Sequence, residues 1–122
     1  MEIESNESLV NLASLRNLLG GSTEGITEIL TMFTEHIPPS IIEIRKLLAN
    51  QEWDALRKKI HSIKSYYGYV GNDFLNQKLN DWESALIEKP ASFNHADTMN
   101  ELERKTVSIL ERLRQILQEG IQ

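Results

Sequence analysis

Residues 58–75 read KKIHSIKSYYGYVGNDFL, and the register of this stretch decides the fold. Extended back to Trp53, it sets Trp53, Leu56, Ile60, Ile63, Tyr67 and Val70 at alternating steps of three and four, the spacing that keeps side chains on one face of an α-helix. Gly71 is expected to end that helix. After the turn GND the pattern resumes with Leu75, Leu79, Trp82 and Leu86, until EKPAS breaks it. Two amphipathic helices joined by so short a turn are expected to run antiparallel.

The same period extends outward. Leu9, Leu12, Leu15 and Leu19 outline a short first helix that Gly20 and Gly21 would stop. Ser22 can cap a second helix whose stripe runs Ile26, Ile29, Leu30, Phe33 and Ile37. Pro38 and Pro39 remove backbone donors, so a kink or restart is expected before Ile41, Ile44 and Leu48 continue the stripe. A last helix is predicted to begin near Asn94, with Asp97 in its first turn, and to carry Met99, Leu102, Thr106, Leu110, Leu113 and Leu117. No strand period and no internal repeat interrupts these segments. The predicted fold is all-α: an antiparallel four-helix bundle with a short N-terminal lid helix, in a single domain over residues 1–122.

Composition bounds the function. The chain has 122 residues, enough apolar material for one core, and no cysteine, which removes disulfides, thiolate metal sites and a cysteine nucleophile. Its formal net charge of −5 argues against binding nucleic acid, whose affinity rests on neutralising phosphates. The acidic start MEIESNES lacks the basic and apolar regions of a signal peptide, and no apolar run approaches the roughly 18 residues of a membrane span. A cytoplasmic, free-standing monomer without membrane contact is the expectation.

His61 stands apart from the apolar stripe. Each helical residue advances about 100°, so His61 lies about 100° from Ile60 and about 160° from Ile63, pointing to solvent. Lys64 falls roughly 60° to one side of it, Ser65 about 40° to the other, and Gly68 about 20° away. Glycine inside a helix is destabilising by about 1 kcal/mol relative to alanine, so Gly68 suggests a close approach. A histidine and a lysine at this spacing are also what a plain solvated face carries. Glu83 adds a second helix to the picture: it follows Gly71 by about 18 Å of helix where His61 precedes it by about 15 Å, so the two come level. A carboxylate there can accept from imidazole Nδ1 and leave Nε2 outward as a nucleophile, with Lys64 as a positive charge for a phosphoryl group. An ordinary flank carboxylate fits Glu83 equally well on spacing alone.

The segment IHSIKSYYGYVGNDFLNQKLNDWE resembles the histidine phosphotransfer domain of multistep phosphorelays. That family's pattern is a helix reading HxxKG, a Gly ten positions after the His, a Leu four further on, and Glu or Gln beyond; here these places hold His61, Lys64, Gly71, Leu75 and Glu83. Upstream, LRNLLGGSTEGITEILTMFTEHIPPSIIEIRKLL and QEWDAL are similar to the lid helix, the second helix and the approach to the histidine helix, while the last helix agrees in length and period only. Ser65 stands where the motif glycine is common, Tyr66 and Tyr67 where small residues usually follow, and Ile87 where some members carry a basic residue.

The resemblance implies a phosphocarrier that accepts on His61 from a receiver-domain aspartate and passes the phosphoryl group to another. It also implies Ser65 and Gly68 on the docking surface, and response-regulator receivers and a hybrid sensor kinase as partners. No nucleotide-binding signature is present, so neither ATP use nor an enzyme in its own right is expected. No cofactor or metal of its own is expected either; the Mg²⁺ of the reaction would belong to the receiver. The alternative is a non-phosphorylated helical adaptor for receivers. The remaining histidines lack the constellation: His36 is expected near a turn and His95 on the surface of a first turn.

Overall fold

The structure, a computed structural model, describes residues 9–120; the acidic start lies outside the described residues. Among these there is no strand. The described residues include four long helices and a short one: α1 Ala13–Leu18, α2 Thr23–Ala49, α3 Trp53–Tyr69, α4 Asp73–Glu88 and α5 His95–Glu119, with a 3₁₀ turn at Pro90–Ser92. No described helix is long and apolar enough to cross a membrane.

Side chains that accept otherwise unpaired amides begin three of the long helices. Ser22 Oγ accepts from Gly25 N at 3.0 Å, Asn72 Oδ1 from Leu75 N at 2.9 Å and Asn94 Oδ1 from Asp97 N at 3.1 Å. The long helices then pack in a closed circuit, α2 on α3, α3 on α4, α4 on α5 and α5 on α2. Every apolar stripe residue expected for α4 is buried, as are Leu56, Ile60, Ile63 and Tyr67 of α3 and Val70 just beyond it, while Trp53 is half-buried. Phe33 and Tyr67 meet edge-on at 5.2 Å in the centre, and Tyr67 Oη pairs with Thr106 Oγ1 of α5 at 2.8 Å. Burial pushes the Tyr67 phenol well up, against the opposing effect of that hydrogen bond.

Several expectations need correction. The short helix α1 does not span the stripe from Leu9 to Leu19: residues 10–12 are not helical, and Leu12 and Leu19 flank Ala13–Leu18. α2 runs without a break through Pro38 and Pro39, because Ile37, Ile41 and Ile44 keep one buried face across the prolines and tertiary packing outweighs the lost backbone bonds. His36 therefore lies inside a helix, not at a turn, and its Nδ1 pairs with Tyr66 Oη at 2.9 Å across α2 and α3. His95 does open α5, but it is half-buried: its Nδ1 accepts from Trp82 Nε1 at 2.9 Å, its Nε2 donates to the Pro90 carbonyl, and Trp53 stacks on its ring at 4.9 Å. On α5, Ile109 joins the core and Leu117 is only half-buried.

The turn between α3 and α4 is held by the chain that precedes α1. Asn11 N donates to Val70 O at 2.8 Å, and the buried Asn72, besides capping α4, donates from Nδ2 to Leu9 O at 3.0 Å. Gly71 has φ of 78°, and a Cβ there would lie 2.0 Å from the Asn11 carbonyl oxygen. Gly20 has φ of 60° but open space around its Cβ position. Gly71→Ala is therefore expected to lower stability by about 2 kcal/mol or more, combining left-handed strain with a backbone clash. Gly20→Ala should carry the strain alone, about 1 kcal/mol. Urea unfolding of the two variants side by side checks this; equal losses would remove the clash from the account.

Candidate functional site

The residues that face one another across α3 and α4 are mirrored about Asn72: His61 with Glu83, Lys64 with Asn80, Gly68 with Asn76. On α3 they are spaced i, i+3, i+7 and on α4 i, i+4, i+7, so each set forms one row along its helix. The rows lie beside the apolar stripe of each helix, and the register that buries the core also brings them together.

His61 Nδ1 and Glu83 Oε2 are 2.6 Å apart, and Lys64 Nζ donates to Glu83 Oε1 at 2.6 Å. Each carboxylate oxygen thus serves one cationic or potentially cationic neighbour. The His61 side chain is 64% exposed, against 14% for Glu83 and 22% for Lys64. The imidazole is open to a partner while the groups that orient it are covered. Nε2 makes no hydrogen bond to any described residue. With Glu83 ionised as acceptor, Nδ1 carries the proton and Nε2 keeps its lone pair.

Burial acts to raise the Glu83 carboxyl, but the hydrogen bonds and charges of Lys64 and His61 together outweigh it and hold the group below its ordinary value. Glu83 is accordingly a carboxylate at neutral pH, able to accept from both sides.

Of the other residues expected at the site, Ser65 is exposed and Gly68 half-covered. A Cβ on Gly68 would stand 3.4 Å from Asn76 Nδ2, which donates to the Lys64 carbonyl at 2.9 Å. A separation of 3.4 Å is ordinary van der Waals contact, so the packing of α4 does not itself require a glycine at this position. Gly71 forms the turn described above, and Leu75 is buried behind it, its amide held by Asn72. Ile87, one turn beyond Glu83, is exposed, and so is Tyr69. Among the described residues, no group of three His, Cys, Asp or Glu side chains is placed to hold a metal ion.

The sequence reading missed Asn76 and Asn80. Asn80 Oδ1 accepts from Lys64 Nζ at 2.9 Å, so the ammonium has two acceptors on α4. The mirror positions about Asn72 could have found both, since the rise argument that pairs His61 with Glu83 also pairs Lys64 with Asn80.

Because the folded-state pKa of Glu83 lies below its unfolded value, its contribution to stability is complete above the unfolded value and is lost as pH falls through the folded one. Glu83→Gln keeps the volume and removes the charge. The stability gap between wild type and this variant, read from urea unfolding, is expected to stay constant near neutrality and to shrink as pH falls through and below the ordinary carboxylate range. A gap that persists unchanged into acid would show that the charge of Glu83 contributes nothing.

No family model, no curated protein and no solved structure matches the chain.

Proposed function

We propose that this chain is a histidine phosphotransfer protein, an antiparallel four-helix bundle lidded by α1. In this reading it acts in the cytoplasm, carries a phosphoryl group on His61 between receiver-domain aspartates, and takes that group from a hybrid sensor kinase. The observation that carries the reading is the pairing of His61 Nδ1 with Glu83 while the exposed ring leaves Nε2 to a partner.

In the step itself, the lone pair of Nε2 attacks the phosphorus of a receiver's aspartyl phosphate. The N–P bond forms, the acyl P–O bond breaks, and the aspartate leaves as carboxylate. The Nδ1 proton stays on the ring, so the phosphorylated imidazole carries a positive charge that Glu83 faces. Lys64 places an ammonium beside the incoming phosphoryl oxygens. Reversal of the step passes the group to a second receiver. Such transfer asks the carrier mainly for position and charge compensation. The Mg²⁺ of the reaction belongs to the receiver in this scheme. Ser65 and Gly68, with no bulk beside His61, border the surface a receiver would cover.

His61→Gln is expected to bring labelling from a phosphorylated receiver to background while changing stability by no more than about 0.5 kcal/mol, because the side chain lies outside the core. An acid-labile, base-stable label that persists in this variant would refute His61 as acceptor. Receiver binding by a wild-type chain that takes no label would leave it a helical adaptor.

A further inference from the structure

We propose that Asn80 is a positioning residue for phosphoryl transfer: by accepting a hydrogen bond from Lys64 it aims the lysine ammonium at the phosphoryl group on His61. The inference rests on the phosphocarrier reading above and adds to it a residue outside the His61, Lys64 and Glu83 set.

A lysine ammonium has three N–H donors on a flexible four-carbon stem. With Glu83 as its sole acceptor it could swivel about a single hydrogen bond. Here Lys64 Nζ reaches Glu83 Oε1 at 2.6 Å and Asn80 Oδ1 at 2.9 Å. These acceptors sit three residues apart on α4, so both rise from the same rigid element. Two fixed N–H directions on a tetrahedral nitrogen determine the third. That third N–H has no acceptor among the described residues, and it is the one a phosphoryl oxygen can take without breaking the lysine's bond to Glu83. The Glu83 carboxylate in turn keeps its other oxygen on His61.

The choice of an amide at this position is informative. An aspartate would hold the ammonium at least as well, but would set a second negative charge beside Glu83 and repel the incoming phosphoryl group. The asparagine carbonyl supplies an acceptor without net charge. Asn80 is also half-covered and lies mid-helix, so alanine there removes the acceptor and raises helix propensity.

The test uses the whole chain with phosphoramidate as a small donor, which needs no docking surface, and follows label on His61 in wild type, Asn80→Ala, Lys64→Ala and the double variant. The Lys64 ammonium is observed in parallel by nitrogen-15 NMR. Asn80→Ala is expected to slow labelling about three- to tenfold, within the net range for losing one ordinary hydrogen bond, since Lys64 keeps its bond to Glu83. In the Lys64→Ala background the same change should have no further effect, because Asn80 acts through Lys64. Asn80→Ala should also speed exchange of the ammonium protons with water, and Asn80→Asp should restore slow exchange. Wild-type labelling in Asn80→Ala, or an equal loss in both backgrounds, would overturn the role of Asn80 and leave the phosphocarrier reading standing. A wild-type chain that takes no label from phosphoramidate or from any phosphorylated receiver would overturn both.

Discussion

The register of α3 against α4 is the constraint on which the rest of the structure depends, and it is set at one turn. Gly71 reverses the chain with a backbone conformation that other residues adopt only under strain, and the carbonyl of Asn11 occupies the space a side chain would need. Asn72 then makes two bonds that point in different directions, one to the first turn of α4 and one to the segment before α1. A shift of one residue in either helix would rotate its side chains by about 100°. That rotation would bring polar residues into the apolar stripe and separate His61 from Glu83. Core packing and site geometry are therefore maintained by the same register, so folding the core assembles the site.

Polar side chains at the seam between these helices are tolerated because they satisfy one another. Among the described residues no buried side-chain nitrogen or oxygen lacks a partner. Glu83 is the hinge of the arrangement. An isolated carboxylate as covered as this one would be unfavourable, but its oxygens face the His61 ring and the Lys64 ammonium separately. Removing Lys64, the covered neighbour, would leave one carboxylate oxygen short of a donor, whereas at the exposed position 61 a glutamine amide or water can donate in place of the ring. The network is thus more sensitive to Lys64 than to His61.

Much of this was legible in the sequence, for reasons that differ from residue to residue. The α3 and α4 stripes are regular and the turn between them is short, so the rise per residue alone brings His61 level with Glu83. The helix wheel gives the exposure of His61. The unbroken α2 was not legible, since Pro38 and Pro39 are local signals for interruption and their tolerance depends on Ile37, Ile41 and Ile44 packing against other helices. The bonds of His36 to Tyr66 and of His95 to Trp82 join distant segments and leave no local pattern. Lys105 was missed because a charged residue reads as surface, yet its stem is covered and its ammonium lies 4.6 Å from the centre of the Phe74 ring.

Gly68 sits where the seam between α3 and α4 meets the open face of His61. Beside it Asn76 lies across α3 and reaches the Lys64 carbonyl, tying α4 to the helical turn that bears the site, and a Cβ on Gly68 would meet Asn76 Nδ2 only at ordinary contact distance, 3.4 Å. In the proposed function the absence of a side chain keeps the flank of His61 low enough for a receiver to approach. Ser65 and the ring of His61 are exposed on that flank. In that reading serine at position 65, where the histidine phosphotransfer pattern commonly has glycine, is a mild exchange, because a small hydroxyl on the open face displaces nothing, whereas a long side chain at position 68 would stand between His61 and an approaching receiver.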